Sequence, residues 1–305
     1  MTEAERATYG ESRTVDLGGP VHYVDFGGPD GAPTVVLVHG LGGSHLNWDL
    51  FAPLLRPHAR VLALDLPGFG RSEPGDRRTT VHDNVKVLDR FLCEVAGTPV
   101  VLVGNSMGGM ISILQTAGSP ETVNGLVLLD AAVPGPRRAL DPLVAATFAL
   151  YAIPRAGERF LALRRRRSTP LRQVREMLQL CGVDPDALPA HTIDRSLTLI
   201  EQRQDVPGMD KAFLSAARSL IRLLVDPRSY RTAMASVRVP VLMVQGDEDR
   251  LVPVAAARDI AGRHPDWQYL ELPGVGHVPQ LQVPEKLATE VLAWLDATAV
   301  ARAAG

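Results

Sequence analysis

Cysteine is nearly absent from this chain of 305 residues. Its 2 cysteines, Cys93 and Cys181, lie far apart, which leaves no disulfide framework and no four-ligand zinc site. Cys93 falls in a helical pattern and is expected to be a buried apolar residue. An excess of one charge is also missing. With 32 Lys and Arg against 34 Asp and Glu, the net charge is −2, so no long-range field draws the chain to nucleic acid or to an anionic membrane. Small neutral molecules are the expected partners. No apolar run approaches the roughly 18 residues that a membrane span needs. The stretch Met1 to Arg6 is polar and lacks the basic start and apolar run of a secretion signal, so a cytoplasmic protein is expected. There is no internal repeat or low-complexity tract, and oligomeric state is left unspecified. The glycines between Asp65 and Ser72 are not followed by Gly-Lys-Ser/Thr, which argues against a phosphate loop. No cofactor and no metal are expected.

What is present is an alternation. Short apolar β-type runs occur at Thr34–Val38, Val61–Leu64, Val100–Val103, Leu126–Leu129 and Val241–Val244. They are continuous rather than alternating, as expected of parallel strands buried on both faces. Thr14–Leu17 and Val21–Phe26 flank the Gly18-Gly19-Pro20 turn and predict an antiparallel start, and Gln268–Leu272 predicts a last strand. Thr80 is placed to cap a helix with Val81, Val85, Leu88, Leu92 and Val95 on one face. Pro284 is placed to open a final helix carrying Leu287, Val291, Trp294 and Leu295. The fold class is therefore α/β: a mostly parallel central sheet with helices on both faces. From about Ala132 to Arg238 strands vanish. Helices are expected at Pro142–Tyr151, Gly157–Arg166, Pro170–Leu180, Pro189–Gln202 and Met209–Leu224, so residues 134–233 form an all-helical insertion into a core of residues 1–133 and 234–305. The run Arg164 to Arg167 reads as a solvated helix end.

The chemistry-bearing pattern is Gly104-Asn105-Ser106-Met107-Gly108-Gly109, between a predicted strand and a predicted helix. A serine at such a turn has its hydroxyl lifted clear of the sheet, with the helix N-terminus favouring negative charge beside it. Side chains at 104 and 108 would collide there, which requires glycine at both. A serine hydroxyl becomes a good nucleophile only beside a base that an acceptor holds in one tautomer. Among 8 histidines, His277 lies in a glycine-rich loop leaving the last strand, where open α/β sheets place their chemistry. Gly246-Asp247-Glu248-Asp249 follows the preceding strand and offers the carboxylate.

These motifs, with His39-Gly40-Leu41-Gly42-Gly43, Asp65 to Ser72, Gly246-x-x-Asp249-x-x-x-Pro253 and Gly276-His277, resemble the α/β-hydrolase family over nearly the full length. The resemblance implies that Asp249 rather than Asp247 is the acid, although some members carry it at the position of Asp130. It also implies that the helical insertion is a cap over the active site. Catalytic residues are thus expected at Ser106, Asp249 and His277. The oxyanion donors are expected at the Met107 and Leu41 amides, with Gly42 in reserve. His39 is expected to be structural, its ring bonded to nearby backbone; His45 and Trp48 are expected in the pocket wall or core.

The expected reaction is hydrolysis of a small, mainly hydrophobic carboxylic ester through an acyl-enzyme. Serine at the elbow argues against the epoxide hydrolases and haloalkane dehalogenases of the family, which carry Asp there. The elbow also resembles that of the meta-cleavage-product C–C hydrolases, in which case Arg172, Arg175 or Arg195 would bind a substrate carboxylate. Val278-Pro279-Gln280 after the histidine departs from that group's pattern. A third alternative is a receptor that binds a small ligand without turnover. Leu143, Phe148, Leu150, Tyr151, Phe160, Met177, Leu178, Phe213 and Leu214 are candidates for pocket lining or for helix packing.

Overall fold

A computed structural model describes residues 9–136 and 140–303, with side chains to residue 298; Met1 to Arg6 lies outside the described residues. The strands are β1 (Glu11–Asp16), β2 (Pro20–Gly27), β3 (Thr34–Val38), β4 (Arg60–Leu64), β5 (Val100–Asn105), β6 (Val123–Leu129), β7 (Val241–Gly246) and β8 (Gln268–Leu272). They form one sheet in the order β1-β2-β4-β3-β5-β6-β7-β8. Only the β1–β2 and β2–β4 pairings are antiparallel; from β4 to β8 every pairing is parallel. The strands start and stop within a few residues of expectation. β6 begins earlier, at Val123: Asn124 and Gly125 interrupt its apolar run, and the pairing with β5 shifts register past Asn124 but continues on both sides.

The strands serve two separate cores, because successive side chains point to opposite faces. Val36, Val38, Leu62, Leu64, Leu102 and Leu128 belong to one, with Met110 and Ile113 of helix α2 and Val81 and Leu88 of helix α1. Val35, Leu37, Val61, Ala63, Val103 and Leu129 belong to the other, with Trp48, Phe51, Leu287, Val291 and Trp294. Burial on both faces explains the continuous apolar runs. Here α1 is Val81–Phe91 and α2 is Met107–Gly118. Thr80 caps α1 in a reciprocal box with Asp83. Cys93, expected to be buried, is exposed: it falls beside, not on, the stripe that α1 and the wider helical turn Leu92–Ala96 bury through Leu88, Leu92 and Ala96.

Between β6 and β7 the chain is helical: α3 (Pro142–Ala152), α4 (Ala156–Arg167), α5 (Pro170–Leu180), α6 (Ala190–Arg203), α7 (Met209–Val225) and α8 (Arg228–Ser236). The first five match the expected segments to within one or two residues at each end. Helix α8 was not expected. It has only Tyr230 and Met234 buried, too few to register as a periodic stripe, and the division drawn at 233 and 234 falls inside it. It joins the first core, and the Tyr230 hydroxyl donates to the Ala132 carbonyl at 3.1 Å. After β7 come α9 (Val254–Arg263) and the final α10 (Pro284–Ala303).

Parallel pairing from β3 to β8 puts the loops after β3, β5, β6, β7 and β8 at one edge. Leu41, Ser106, Asp130, Asp249 and His277 are thereby delivered to one end of the sheet. Tyr230 anchors the chain that leaves β6 toward the insertion. Replacing it with Phe removes one buried hydrogen bond and is expected to lower unfolding free energy by about 1 kcal/mol in denaturant titrations.

Candidate active site

Ser106 alone makes the turn between β5 and α2. Its backbone sits at φ 54°, ψ −118°, outside the regions that L-residues favour; such strain persists only where the surroundings impose it. Here the surroundings are backbone. A Cβ on Gly108 would lie 2.0 Å from the Val38 carbonyl oxygen, and one on Gly104 would lie 2.6 Å from that of Gly108. Glycine is required at both positions as expected, but the collision at 108 is with β3, not with residue 104. A third close approach involves Gly40, whose Cβ would meet that of Ser106 at 2.9 Å. Around the turn, the Ser106 N–H donates to Leu129 at 3.0 Å, and its carbonyl accepts from Met110 and Ala132 at 3.2 and 2.9 Å.

His277 and Asp249 come from neighbouring loops. Asp249 Oδ2 lies 2.7 Å from His277 Nδ1, with both residues buried. Asp249 Oδ1 accepts from the Leu251 and Val252 amides at 2.7 and 3.0 Å. Gln245 Nε2 donates to Oδ2 at 3.2 Å. The competing Asp247 is exposed and accepts from the Gly274 amide at 2.7 Å. The main chain of His277 is clamped from two sides. Its N–H donates to the Cys181 carbonyl, beyond the end of α5, at 2.8 Å. Its own carbonyl accepts from Asn105 Nδ2 at 3.0 Å, which also donates to Leu129 at 3.0 Å. The residue before Ser106 thus fixes the backbone of His277.

Ser106 and His277 line one cavity of about 190 Å³, together with Gly40, Leu41 and Gly42. Among the described residues, neither the Leu41 nor the Met107 N–H donates to a protein acceptor. Both are free for a developing negative charge, and Met107 opens α2, where the helix dipole adds to the effect. His39 braces this loop. Its Nδ1 donates to the Gly40 carbonyl at 2.8 Å, and its Nε2 accepts from the Leu66 amide at 3.1 Å. Burial pushes it down to about 4, so it is neutral. Asp65 braces the same loop from further back: His45 Nδ1 and His22 Nδ1 each lie 2.8 Å from Asp65 Oδ2. The His45 amide donates to Oδ1 at 2.7 Å and the Arg71 amide to Oδ2 at 2.8 Å. Burial opposes its charge, but the two histidines outweigh burial and hold the carboxyl well below its usual range. Trp48 is in the core.

The remaining cavity wall comes from the inserted helices. Phe148 and Tyr151 of α3, Met177 of α5 and Phe213 of α7 line it. Other candidates pack elsewhere: Leu214 and Phe160 around Tyr151, Leu178 against Val183 and Val278, while Leu143 is 64% exposed. The three arginines proposed to hold a substrate carboxylate are paired away from the cavity. Arg172 bonds Glu176 at 2.6 Å, Arg175 bonds Asp186 at 2.8 Å, and Arg195 lies 2.8 Å from buried Asp49. The arginine that does line the cavity is Arg164, first of the four in the run read as solvated. Its nearest carboxylate, Glu176, is 3.9 Å away. A run of four arginines on a helix spans a full turn, so one of them must face inward.

The clamp on His277 depends on glycine. A Cβ on Gly276 would lie 2.2 Å from the Cys181 carbonyl oxygen. Gly276→Ala is expected to slow labelling of Ser106 by a fluorophosphonate by about 100-fold through displacement of the ring. Gly262→Ala, with open space around its Cβ, is expected to leave the rate unchanged.

Known proteins carry similar sequences and folds. Residues 35–290 match the Alpha/beta hydrolase family. A 2-hydroxy-6-oxononadienedioate/2-hydroxy-6-oxononatrienedioate hydrolase of Dechloromonas aromatica is 25% identical over 307 residues, spanning 97% of each chain. A pimeloyl-[acyl-carrier protein] methyl ester esterase of Yersinia pseudotuberculosis is 27% identical over 270 residues, covering 86% of this chain and 93% of the relative. The crystal structure of a serine hydrolase involved in carbazole degradation superposes with a TM-score of 0.70 at 25% identity, over 94% of this chain and 99% of that one. With the match extending over most of its length and a mostly parallel sheet carrying a strained elbow after β5, the chain belongs to the alpha/beta hydrolase family.

Proposed function

We propose that this alpha/beta hydrolase cleaves a small, mainly hydrophobic carboxylic ester by a serine acyl-enzyme route, with residues 134–233 acting as its cap. The observation that carries the proposal is the convergence on one cavity of Ser106, the unengaged Leu41 amide and His277 bound to Asp249, with the unengaged Met107 amide following Ser106 in the chain. Ser106 Oγ attacks the ester carbonyl carbon while its proton passes to His277 Nε2. Asp249 keeps the other nitrogen protonated and stabilises the imidazolium. The carbonyl oxygen becomes an oxyanion held by the Met107 and Leu41 amides, each such donor contributing roughly 2.7–4 kcal/mol in the transition state. His277 then gives its proton to the leaving alcohol. Water, deprotonated by His277, releases the acid and restores the serine. The apolar wall of Phe148, Tyr151, Met177 and Phe213 supports a mainly hydrophobic substrate.

One observation favours a second reading. Arg164 places a half-buried guanidinium on this mainly apolar wall, and with Glu176 no nearer than 3.9 Å it is open to a closer anion from the cavity side. A substrate bearing a carboxylate, as in C–C hydrolysis of a meta-cleavage type, would supply that anion. The relative from Dechloromonas aromatica is a hydrolase of such dienedioates by name. A panel of esters of graded acyl length, run beside a dienone dicarboxylate, separates the two readings. Arg164→Gln is expected to raise KM at least about tenfold for an acidic substrate and to leave a neutral ester unchanged.

Ser106→Ala is expected to abolish turnover and phosphonate labelling with the fold intact; retained labelling places the nucleophile elsewhere. Asp249→Asn is expected to lower kcat by about 10³–10⁴-fold, while Asp247→Asn stays near wild type. Binding of a small apolar molecule with no burst and no turnover would instead identify a receptor.

A further inference from the structure

The loop after β6 brings a second carboxyl group into the site. Asp130 is fully buried, at φ 46°, a conformation that a residue other than glycine holds only under constraint. The constraint is visible: the Asp130 N–H donates to Val244 at 2.9 Å, and two residues on the Ala132 N–H donates to Ser106 at 2.9 Å. Asp130, Asp249 and His277 each place a polar atom within 4.8 Å of the others. Gln245 Nε2 stands between the acids, 3.0 Å from Asp130 Oδ1 and 3.2 Å from Asp249 Oδ2; the Val252 and Gly246 carbonyls lie at 2.9 and 3.2 Å, so its two hydrogens are shared among four acceptors and neither acid has one to itself.

Two carboxylates this close in a buried site do not both ionise, and the donors decide which one does. Asp249 receives the Leu251 and Val252 amides, Gln245 Nε2 and the His277 ring, spread over both oxygens. Asp130 receives only the Gly246 amide at 2.8 Å and Gln245 Nε2, both on Oδ1. Among the described residues, its Oδ2 is buried and meets no protein donor. The oxygen without a protein donor is where a proton is best placed.

Resting on the reading of Asp249 as the acid, we propose that Asp130 is a positioning residue: a neutral carboxylic acid whose Oδ2–H faces Asp249 and holds that carboxylate against His277. Burial, then the charge of Asp249, raises the Asp130 carboxyl well above the usual carboxylate range, against the opposing Gly246 amide. The other titratable groups in reach are Cys181 and Tyr269. Burial pushes the Cys181 thiol up to about 12 and raises the Tyr269 phenol above its ordinary range, so neither brings a charge near neutral pH. The site thus carries one negative charge beside the imidazole.

The test is the pH profile of kcat/KM for Asp130→Asn and Asp130→Leu on an ester substrate. A neutral Asp130 is matched by Asn, which keeps an acceptor for Gly246 and Gln245 and a donor toward Asp249. The acid limb is expected to move by less than about 0.3 unit and kcat/KM by less than about threefold. Asp130→Leu keeps the branching at Cγ but removes these bonds, and is expected to lower kcat at least about tenfold with KM little changed. Infrared difference spectra of the resting enzyme are expected to show a protonated-carboxyl band that Asp130→Asn removes, which is readable even if Asp130→Leu fails to fold. Were Asp130 ionised, its removal would lower the acid-limb midpoint by about one unit or more, because a nearby negative charge favours protonated imidazole; that shift, or the absence of the band, overturns the proposal. If Asp130→Asn is as damaging as Asp249→Asn is expected to be, and Asp249→Asn is mild, Asp130 is itself the acid. That result overturns the neutral role while leaving the serine hydrolase reading to the Ser106→Ala experiment.

Discussion

Two backbones in this molecule run closer together than side chains permit, and the site is built on that contact. Gly108 presses against the Val38 carbonyl at the end of β3, and Gly40 presses against Ser106. The first turn of α2 is therefore held against the loop that carries Leu41. Ser106 has no ordinary backbone conformation available in the remaining space. Its strain is offset by hydrogen bonds on both sides of the turn, to Leu129, Met110 and Ala132. The same contact sets Ser106, the N-terminus of α2 and the loop of Leu41 side by side, and in the proposed reaction that is the preorganisation a developing oxyanion needs.

Charge in this interior is handled by matching each buried carboxyl to its donors. Asp65 has two histidines and two amides and remains ionised despite full burial. Asp249 has two amides, an amide side chain and His277. Asp130 has donors on one oxygen only. A common rule accounts for all three: where carboxyls are buried, the number and placement of N–H groups decide which acid keeps its proton. In the proposed reaction the consequence is one unit of negative charge at the imidazole, enough to fix the tautomer without over-stabilising the protonated ring.

The parts of this architecture legible in the sequence are those written in one short window. β3 and β4 are contiguous apolar runs legible to within a residue at each end, and the elbow is six consecutive residues. His277 and the cluster Asp247-Glu248-Asp249 could be picked out because parallel strands put their loops at a common end, while the choice of Asp249 within the cluster came from the family resemblance. What was not legible depends on contacts between distant segments. Arg164 looks like any member of a solvated run until α4 is seen to place one of its four arginines on the cavity wall. The clash of Gly108 with β3, the clamp from Cys181 to His277 and the bridging by Gln245 link positions far apart in the chain. A glutamine ending the otherwise apolar strand β7 was the one visible signal for the last of these. Helix α8 escaped because it buries too little to leave a period.

The insertion does more than line the cavity, because it also holds the main chain of His277. The carbonyl that accepts the His277 N–H belongs to Cys181, just past the end of α5, while Met177 and Leu180 of the same helix line the cavity. Gly182 and Gly276 sit so close that a Cβ on Gly182 would lie 3.0 Å from the Gly276 Cα, so α5 has little room to shift without disturbing the loop behind the ring. A ligand filling the cavity therefore bears on α5 and, through Cys181, on the orientation of the imidazole. In the proposed mechanism, fit at the apolar wall is felt as alignment of the base, and alignment raises the rate of the chemical step rather than binding alone. In that mechanism selectivity belongs in kcat as much as in KM, because Met177 and Leu180 of the cavity wall and the Cys181 carbonyl that holds His277 lie on, and just past, one helix.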